Sequence, residues 1–270
     1  MPHFICTTCA TQFAEAAAPP PACPICEDER QYVPARGQGW TTLPALQRAH
    51  SMGWREVAPN LLALRPMPAL GIDQRALLLR TPAGNVLWDC LGLLDPATVD
   101  LIKGLGGLAA IAISHPHYYG CMVEWSRAFN APVWLHTADQ AHVMRPDAAA
   151  LRFWEGEEMP LLPGVTLHRL GGHFAGATVL HWADGEGALL CGDILQVLPD
   201  RKFIGFMRSY PCLIPLPPAE VARMAARCAA LRFEAIYGAF HEREIVRGAQ
   251  AAIAKSATRY AAWVQGMVEP

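Results

Sequence analysis

The stretch AAIAISHPHYYG, residues 109–120, ends an apolar run with two histidines, and its reading decides the rest of the chain. Ala109–Ser114 has the length and composition of a buried strand. His115 and His117 follow it at i, i+2, so both rings leave the same side of an extended backbone. Pro116 between them restricts the backbone and holds that orientation. A single histidine at a strand end is ordinarily structural; two at this spacing point to a pair of metal ligands.

Three further stretches carry groups of the same chemistry. Gly171-Gly172-His173 is a glycine-rich turn after an apolar strand, where the backbone can approach closely and present one side chain. Cys191-Gly192-Asp193 ends another apolar run with a carboxylate, and His241 follows AIYGAF (235–240). Each alone is equally compatible with a core or loop role. Together, strand ends supplying His, His, His, Asp and His describe a site for a first-row metal ion.

Outward from these ends, the strands Leu61–Arg65, Arg75–Arg80 and Asn85–Cys90 read as a meander, with turn chemistry at Pro82-Ala83-Gly84-Asn85. Then come a helix Pro96–Leu105 with proline in its first turn, the strand Ala109–Ser114, a helix Met122–Phe129 and a strand Pro132–His136. A loop over 146–160 precedes strands Val165–Leu170, Thr178–Trp182 and Ala188–Cys191. A helix Ala219–Ala230, a strand Ala235–Ala239 and a long helix Glu242–Val264 complete the pattern. A meander followed by strand–helix alternation, twice over, predicts an α/β (α+β) domain across 60–270, two sheets packed together with helices outside.

Residues 1–35 are different. Cys6-Thr7-Thr8-Cys9 and Cys23-Pro24-Ile25-Cys26 are two CxxC units. Each such turn brings two thiolates to one point, and two turns complete a tetrahedral shell. A segment this short buries too little apolar surface to fold alone, so metal binding would supply its folding free energy. Cys6, Cys9, Cys23 and Cys26 are therefore expected to hold a structural Zn²⁺. The segment resembles a zinc ribbon or a rubredoxin-like knuckle. Rubredoxin knuckles usually place glycine after each CxxC, whereas Ala10 and Glu27 stand here, which favours structural zinc over electron-transferring iron. Residues 36–59 read as a linker with one short helix, capped by Thr41 or Thr42 and ended by Gly53.

From about residue 57 to 245 the chain resembles the metallo-β-lactamase superfamily. The likeness rests on SHPH (114–117), GGHFAGATVLHW (171–182), LLCGDIL (189–195) and AFHE (239–242), in the family's order and approximate spacing. It implies a four-layer αββα sandwich with the ligands along one edge of the two sheets. By matching position it implies that His115, His117 and His173 form one metal's ligand set, with Asp193 bridging towards a second metal that His241 would bind.

One departure matters. The family pattern His-x-His-x-Asp-His meets His115-Pro116-His117-Tyr118-Tyr119-Gly120, so Tyr119 stands for the aspartate and Gly120 for the last histidine. Both missing groups serve the second metal, which leaves Asp193 and His241, too few for a tight site without water or an unusual Tyr119 phenolate. The expectation is a metal-dependent hydrolase with the second metal position depleted, using a water activated by Zn²⁺ or another first-row ion. Asp193 would orient that water or accept its proton, and His241 would donate to a leaving group. Tyr118 or Tyr119 would offer a phenol to an oxyanion, or both simply pack beside the site. Two alternatives stay open: a metal-binding protein without turnover that acts through its knuckle on a partner, and a non-haem iron redox protein on the same fold.

Composition bounds the partners. Twenty-two basic against 24 acidic residues, with no Lys/Arg run, argue against nucleic acid. No apolar stretch of about 18 residues is present, so no membrane span is expected. The first 20 residues lack a basic segment followed by an apolar run, so no secretory signal is expected. Cys90, Cys121, Cys191, Cys212 and Cys228 are scattered singly and read as small hydrophobes. These features predict a cytoplasmic protein acting on a small-molecule substrate that the sequence does not specify. Trp125, Trp134, Trp154 and Phe174 read as core or as the lining of an apolar pocket. Met207–Leu216 (MRSYPCLIPL) reads as a cover over the site or as a subunit contact of a homo-oligomer.

Overall fold

A computed structural model describes residues 1–267, so the last three residues of the domain expected over 60–270 lie outside the described residues. The chain divides into two compact units, Met1–Trp154 and the residues from Glu155 onward, and each is described by itself.

The first unit holds two sheets. Strands β1 (His3–Cys6), β2 (Gln12–Glu15) and β3 (Trp40–Thr42) form a small antiparallel sheet with β1 in the middle. Between β2 and β3 lies a single helical turn, α1 (Pro24–Glu27). A seven-stranded sheet follows, with β4 (Ser51–Ala58), β5 (Leu61–Met67), β6 (Ala76–Thr81) and β7 (Gly84–Trp88) as an antiparallel meander. It continues in parallel through β8 (Ala110–Ala112), β9 (Val133–His136) and β10 (Leu151–Trp154). Parallel pairing needs crossovers, and α3 (Pro96–Gly104) and α4 (Met122–Phe129) supply two of them, after α2 (Leu43–Ala49) earlier in the chain. Strands β5, β6 and β7 are leucine-rich and mostly buried, as strands covered on both faces require, whereas the edge strand β4 is exposed or half-buried.

Several boundaries differ from the sequence reading. The expected linker over 36–59 contains its short helix, with Thr42 at the N-cap, but also β3 and the whole of β4. The helix stops at Ala49 with His50 as C-cap, well before Gly53. Gly53 lies inside β4, opposite Arg65 of β5. The loop expected at 146–160 holds β10, paired to β9, and the start of β11 (Glu158–Leu162). Neither strand alternates clearly, so pairing rather than periodicity defines them.

The second unit is a six-stranded sheet in the order β11, β12 (Val165–Arg169), β13 (Thr178–Trp182), β14 (Ala188–Gly192), β19 (Ala235–Gly238), β20 (Glu244–Ile245). Two short ribbons, β15 (Gln196–Val197) with β16 (Ile204–Gly205) and β17 (Met207–Ser209) with β18 (Ile214–Pro215), precede helix α5 (Pro218–Ala229). This helix connects β14 and β19, the sheet's parallel pair. The final helix α6 is Ala249–Val264, not Glu242–Val264. Glu242 takes a left-handed φ of 58°, β20 pairs back onto β19, and Gly248 turns at φ 71°, so helix cannot begin earlier. Val221, Met224, Ile236, Ile253 and Phe206 lie in its buried core.

Asp95 is the cap of α3 and also a tie to the meander. One carboxylate oxygen accepts the Thr98 amide at 2.7 Å and the other accepts the Met52 amide of β4 at 3.0 Å. Replacing a capping aspartate by alanine typically costs about 0.5–2 kcal/mol. Asp95→Ala should therefore lower unfolding stability by about 1–2 kcal/mol in urea titrations; an unchanged midpoint would contradict the assigned role.

Candidate metal centres

The four N-terminal cysteines are assembled by short-range geometry. Cys6 ends β1, Cys9 follows in the turn to β2, and Cys23 and Cys26 flank the first turn of α1. Their sulfurs all lie within 4.8 Å of one another, with Cys6–Cys26 at 3.6 Å and Cys9–Cys23 at 3.7 Å. A zinc–thiolate tetrahedron with bonds of about 2.3 Å has edges of about 3.8 Å, so the residues fit a four-coordinate ion. All four are at most 1% exposed. The Cys6 sulfur also accepts the Thr8 amide at 3.4 Å and the Gln38 side-chain amide at 3.1 Å. Hydrogen bonding from the Cys23 thiol, then Cys26, pulls its pKa well below the usual thiol range, the form a metal ligand needs. Ala10 adopts φ 62°, so the left-handed turn that glycine usually supplies after CxxC is kept with a methyl group added. Glu27, inside α1, needs no such turn.

In the same unit, β8 leads to His115. Asp89, itself at φ 63°, accepts the Ser114 amide at 2.8 Å and donates its own amide to the Ala112 carbonyl. Ser114 Oγ lies 3.0 Å from His115 Nδ1. The chain does not stay extended after that. Pro116–Tyr118 is a 3-10 turn opened by the proline, so His117 is presented by a turn rather than by strand alternation. The two histidines still converge. Their ring centroids are 5.1 Å apart, they offer ligand atoms within 4.8 Å of each other, and they are only 1% and 2% exposed. Tyr118 packs its ring 4.5 Å from His115. Asp89 and Ser114 were not legible as site residues; the only signal was an aspartate closing the strand NVLWD.

Tyr119 and Gly120 serve packing. The Tyr119 hydroxyl donates to the Asp139 carbonyl at 3.4 Å, and burial, then the Asp139 charge, holds its pKa well above the ordinary phenol range. A Tyr119 phenolate ligand is thereby disfavoured. Gly120 has φ 49°, and a Cβ there would lie 2.5 Å from the carbonyl carbon and oxygen of Leu91. No side chain fits.

In the second unit, His173 follows two glycines at φ 69° and 77°. A Cβ on Gly172 would meet Met224 Sδ at 2.8 Å. The loop is clamped from α5, where the Arg223 guanidinium donates to the Leu170 carbonyl and Glu220 accepts the Gly172 amide. His173 Nδ1 donates to the Met207 carbonyl at 3.1 Å, which leaves Nε2 with its lone pair. Asp193, 5% exposed, follows β14 and offers an oxygen within 4.8 Å of a His173 ring nitrogen. Tyr210 lies beside both: its ring is 6.0 Å from His173, and burial, then the Asp193 charge, raises its pKa well above the ordinary range. The segment Met207–Leu216 thus packs on His173 within this unit. His241 stands apart in burial, exposed on the turn between β19 and β20. Of the aromatics, Phe174 lies 5.3 Å from the His173 ring, while Trp125 and Trp154 are buried in the first unit and Trp134 is half-buried. Glu220, Arg223 and Tyr210 escaped sequence reasoning, although the i, i+3 acid–base pair on α5 was visible as a pair.

No protein-family model matches the chain. The uncharacterized protein YmaE of Bacillus subtilis (strain 168) is 44% identical over 265 residues, covering 96% of both chains. This chain belongs to the YmaE family. Solved metallo-β-lactamases align with most of it. The DIM-1 metallo-β-lactamase has a TM-score of 0.58 at 12% identity, covering 81% of this chain and 99% of that one. A B3 metallo-β-lactamase, described as the first with an active site glutamic acid, gives 0.54 at 18%, covering 84% and 96%. A Cronobacter sakazakii (Enterobacter sakazakii) metallo-β-lactamase with a HARLDQ motif gives 0.51 at 19%, covering 79% and 93%. The YmaE-family chain therefore has the metallo-β-lactamase fold, with a four-cysteine cluster at its N-terminus.

Gly120 offers a sharp check of the ligand-loop geometry. Gly120→Ala should cost about 2–4 kcal/mol, from left-handed strain plus overpacking against Leu91, and Gly120→His should cost more. Chemical denaturation measures both; wild-type stability in the histidine variant would show that the loop has room for a side chain at this position.

Proposed function

We propose that the chain is a metal-dependent hydrolase acting on a small-molecule substrate, with one metal held by His115, His117 and His173 and with Asp193 beside it. The observation that carries this reading is the burial of three imidazoles and a carboxylate at the ends of loops and strands in a chain of metallo-β-lactamase fold. Burying such groups is costly unless they are paired or coordinate a cation. The tautomer of His173 supports the same reading, since Nδ1 donates its proton to the Met207 carbonyl and Nε2 therefore carries the lone pair that a ligand needs. Ser114 Oγ can take the Nδ1 proton of His115 in the same way.

When bound, a first-row cation such as Zn²⁺ supplies Lewis acidity and brings the pKa of a water to about 7. Asp193, beside those ligands, would orient such a water and take up its proton. Tyr118, whose ring packs on His115, would offer its phenol to an anionic oxygen, while the Tyr119 hydroxyl donates to the Asp139 carbonyl. His241, exposed after β19, is the donor to a leaving group. The second metal position is depleted, because Tyr119 replaces a carboxylate and the space at Gly120 admits no side chain.

Elemental analysis of purified protein should give about two ions per chain, one at the cysteines and one at the histidines. His115→Ala and His173→Ala should each lose one equivalent and keep the other. Against a panel of esters, thioesters, lactones and phosphodiesters, Asp193→Asn should lower kcat by about 10²–10⁴-fold on whichever substrate turns over. A reproducible third equivalent would refute the one-metal reading, and full activity without the histidine metal would refute the hydrolase mechanism.

A further inference from the structure

The cysteine knuckle is stitched to the loop that carries His115 and His117, all within the first unit. The Gln12 amide donates to the Gly120 carbonyl at 3.0 Å, and the Ala14 amide donates to Met144 at 3.0 Å. The Arg145 guanidinium, 5% exposed, joins the Gln12 side chain to Glu124 of α4. Beneath these bonds runs a column of close backbone approaches. A Cβ on Gly92 would lie 2.7 Å from the Ala10 methyl and 2.9 Å from its carbonyl oxygen, and one on Gly71 would lie 3.0 Å from the same methyl. On the next level, the Leu91–Gly92 backbone presses on Gly120, where a Cβ would meet it at 2.5–3.0 Å. The Cys90 amide donates to the Tyr118 carbonyl and the Cys121 amide to Leu91, locking both ends of the histidine turn to this strand end.

Ala10 is where metal geometry enters the column. It sits directly after Cys9, its amide donates to the Cys6 carbonyl at 2.9 Å, and it holds a left-handed φ that a non-glycine residue adopts only when its surroundings impose it. Its methyl is buried with Ile5, Leu46, Leu70 and Leu93. An alanine at this position accepts backbone strain and in return contacts Gly92 and Gly71, which a glycine would not do.

We infer that the four-cysteine knuckle is a positioning element for the His115–His117 pair, so that filling the knuckle with metal sets the geometry of the histidine loop through Ala10, Gly92, Leu91, Gly120 and Gln12. The metal-affinity part of this inference rests on the reading of His115 and His117 as ligands; the conformational part does not. Coupling of this kind is reciprocal: whatever factor knuckle occupancy adds to binding at the histidines, histidine occupancy adds to binding at the knuckle.

The test uses the full chain in three forms: wild type, Cys9→Ser with Cys26→Ser, and Ala10→Gly, a mild variant that keeps every ligand. Amide hydrogen exchange is followed at residues 118–125 and, as an internal control, at 189–192 of the second unit. Cobalt titration is followed by the thiolate charge-transfer bands and the separate d–d bands of the histidine site. With the knuckle emptied, exchange at 118–125 should quicken by at least about tenfold while 189–192 is unchanged. Cobalt affinity at the histidines should fall by a comparable factor, and His115→Ala should weaken cobalt at the knuckle by that same factor. Ala10→Gly should retain knuckle cobalt yet show part of the exchange increase. Unchanged exchange at 118–125 in both the knuckle-emptied protein and Ala10→Gly would overturn the inference; if the double variant does not fold, Ala10→Gly alone decides by the same criterion. Absence of histidine-site cobalt in wild type, with exchange responding as described, would sink the ligand assignment and leave the positioning role standing.

Discussion

The carbonyl oxygen of Leu91 is the point on which the first unit's chemistry depends. It accepts the Cys121 amide at 3.0 Å, the Cys121 thiol at 3.1 Å and the Trp125 indole at 3.3 Å. These donors come from the residue after Gly120 and from the first turns of α4, so one acceptor ends the histidine turn and starts the helix. Such convergence is only possible if the chain at 120 comes within contact of the Leu91 backbone, which is why that position is glycine. A loop built to lean on the Leu91 backbone has no volume for a side chain at position 120.

In the second unit a different device does the equivalent work. Two left-handed glycines let the chain turn tightly after β12, and α5 holds the turn by its Glu220 and Arg223 side chains. The Met207 carbonyl then chooses the tautomer of His173. A backbone carbonyl at His173 and the Ser114 hydroxyl at His115, neither of them ionisable in the ordinary pH range, orient these two imidazoles. That arrangement fixes ring orientation without adding a second titrating group to each ligand.

Much of this was legible from residue types. Strand ends carrying His115, His117, His173 and Asp193 could be located because apolar runs stop abruptly at them, and the paired CxxC units are unambiguous in spacing. What the sequence concealed were groups acting through backbone atoms. Asp89 uses its carboxylate on a backbone amide, while Met207 and Leu91 work through carbonyls and Ala10 through its φ angle; the last three have no side-chain signature. The expected linker at 36–59 failed to show its strands because β3 gains its order from β1, far back in the chain, and β4 from its hairpin with β5, while both carry little alternation of their own. The start of α6 was misjudged for the converse reason. Residues 242–248 have helical composition, but pairing with β19 and the Gly248 turn override it.

The claim at the centre of the account is that imidazole nitrogen, and not only cysteine sulfur, holds metal in this protein. X-ray absorption at the metal edge of the Cys6→Ser, Cys9→Ser variant, purified with its remaining metal, addresses it directly. The account predicts a first shell of nitrogen and oxygen scatterers at about 2.0–2.1 Å, with the outer-shell pattern of imidazole rings. A shell dominated by sulfur at about 2.3 Å would contradict it.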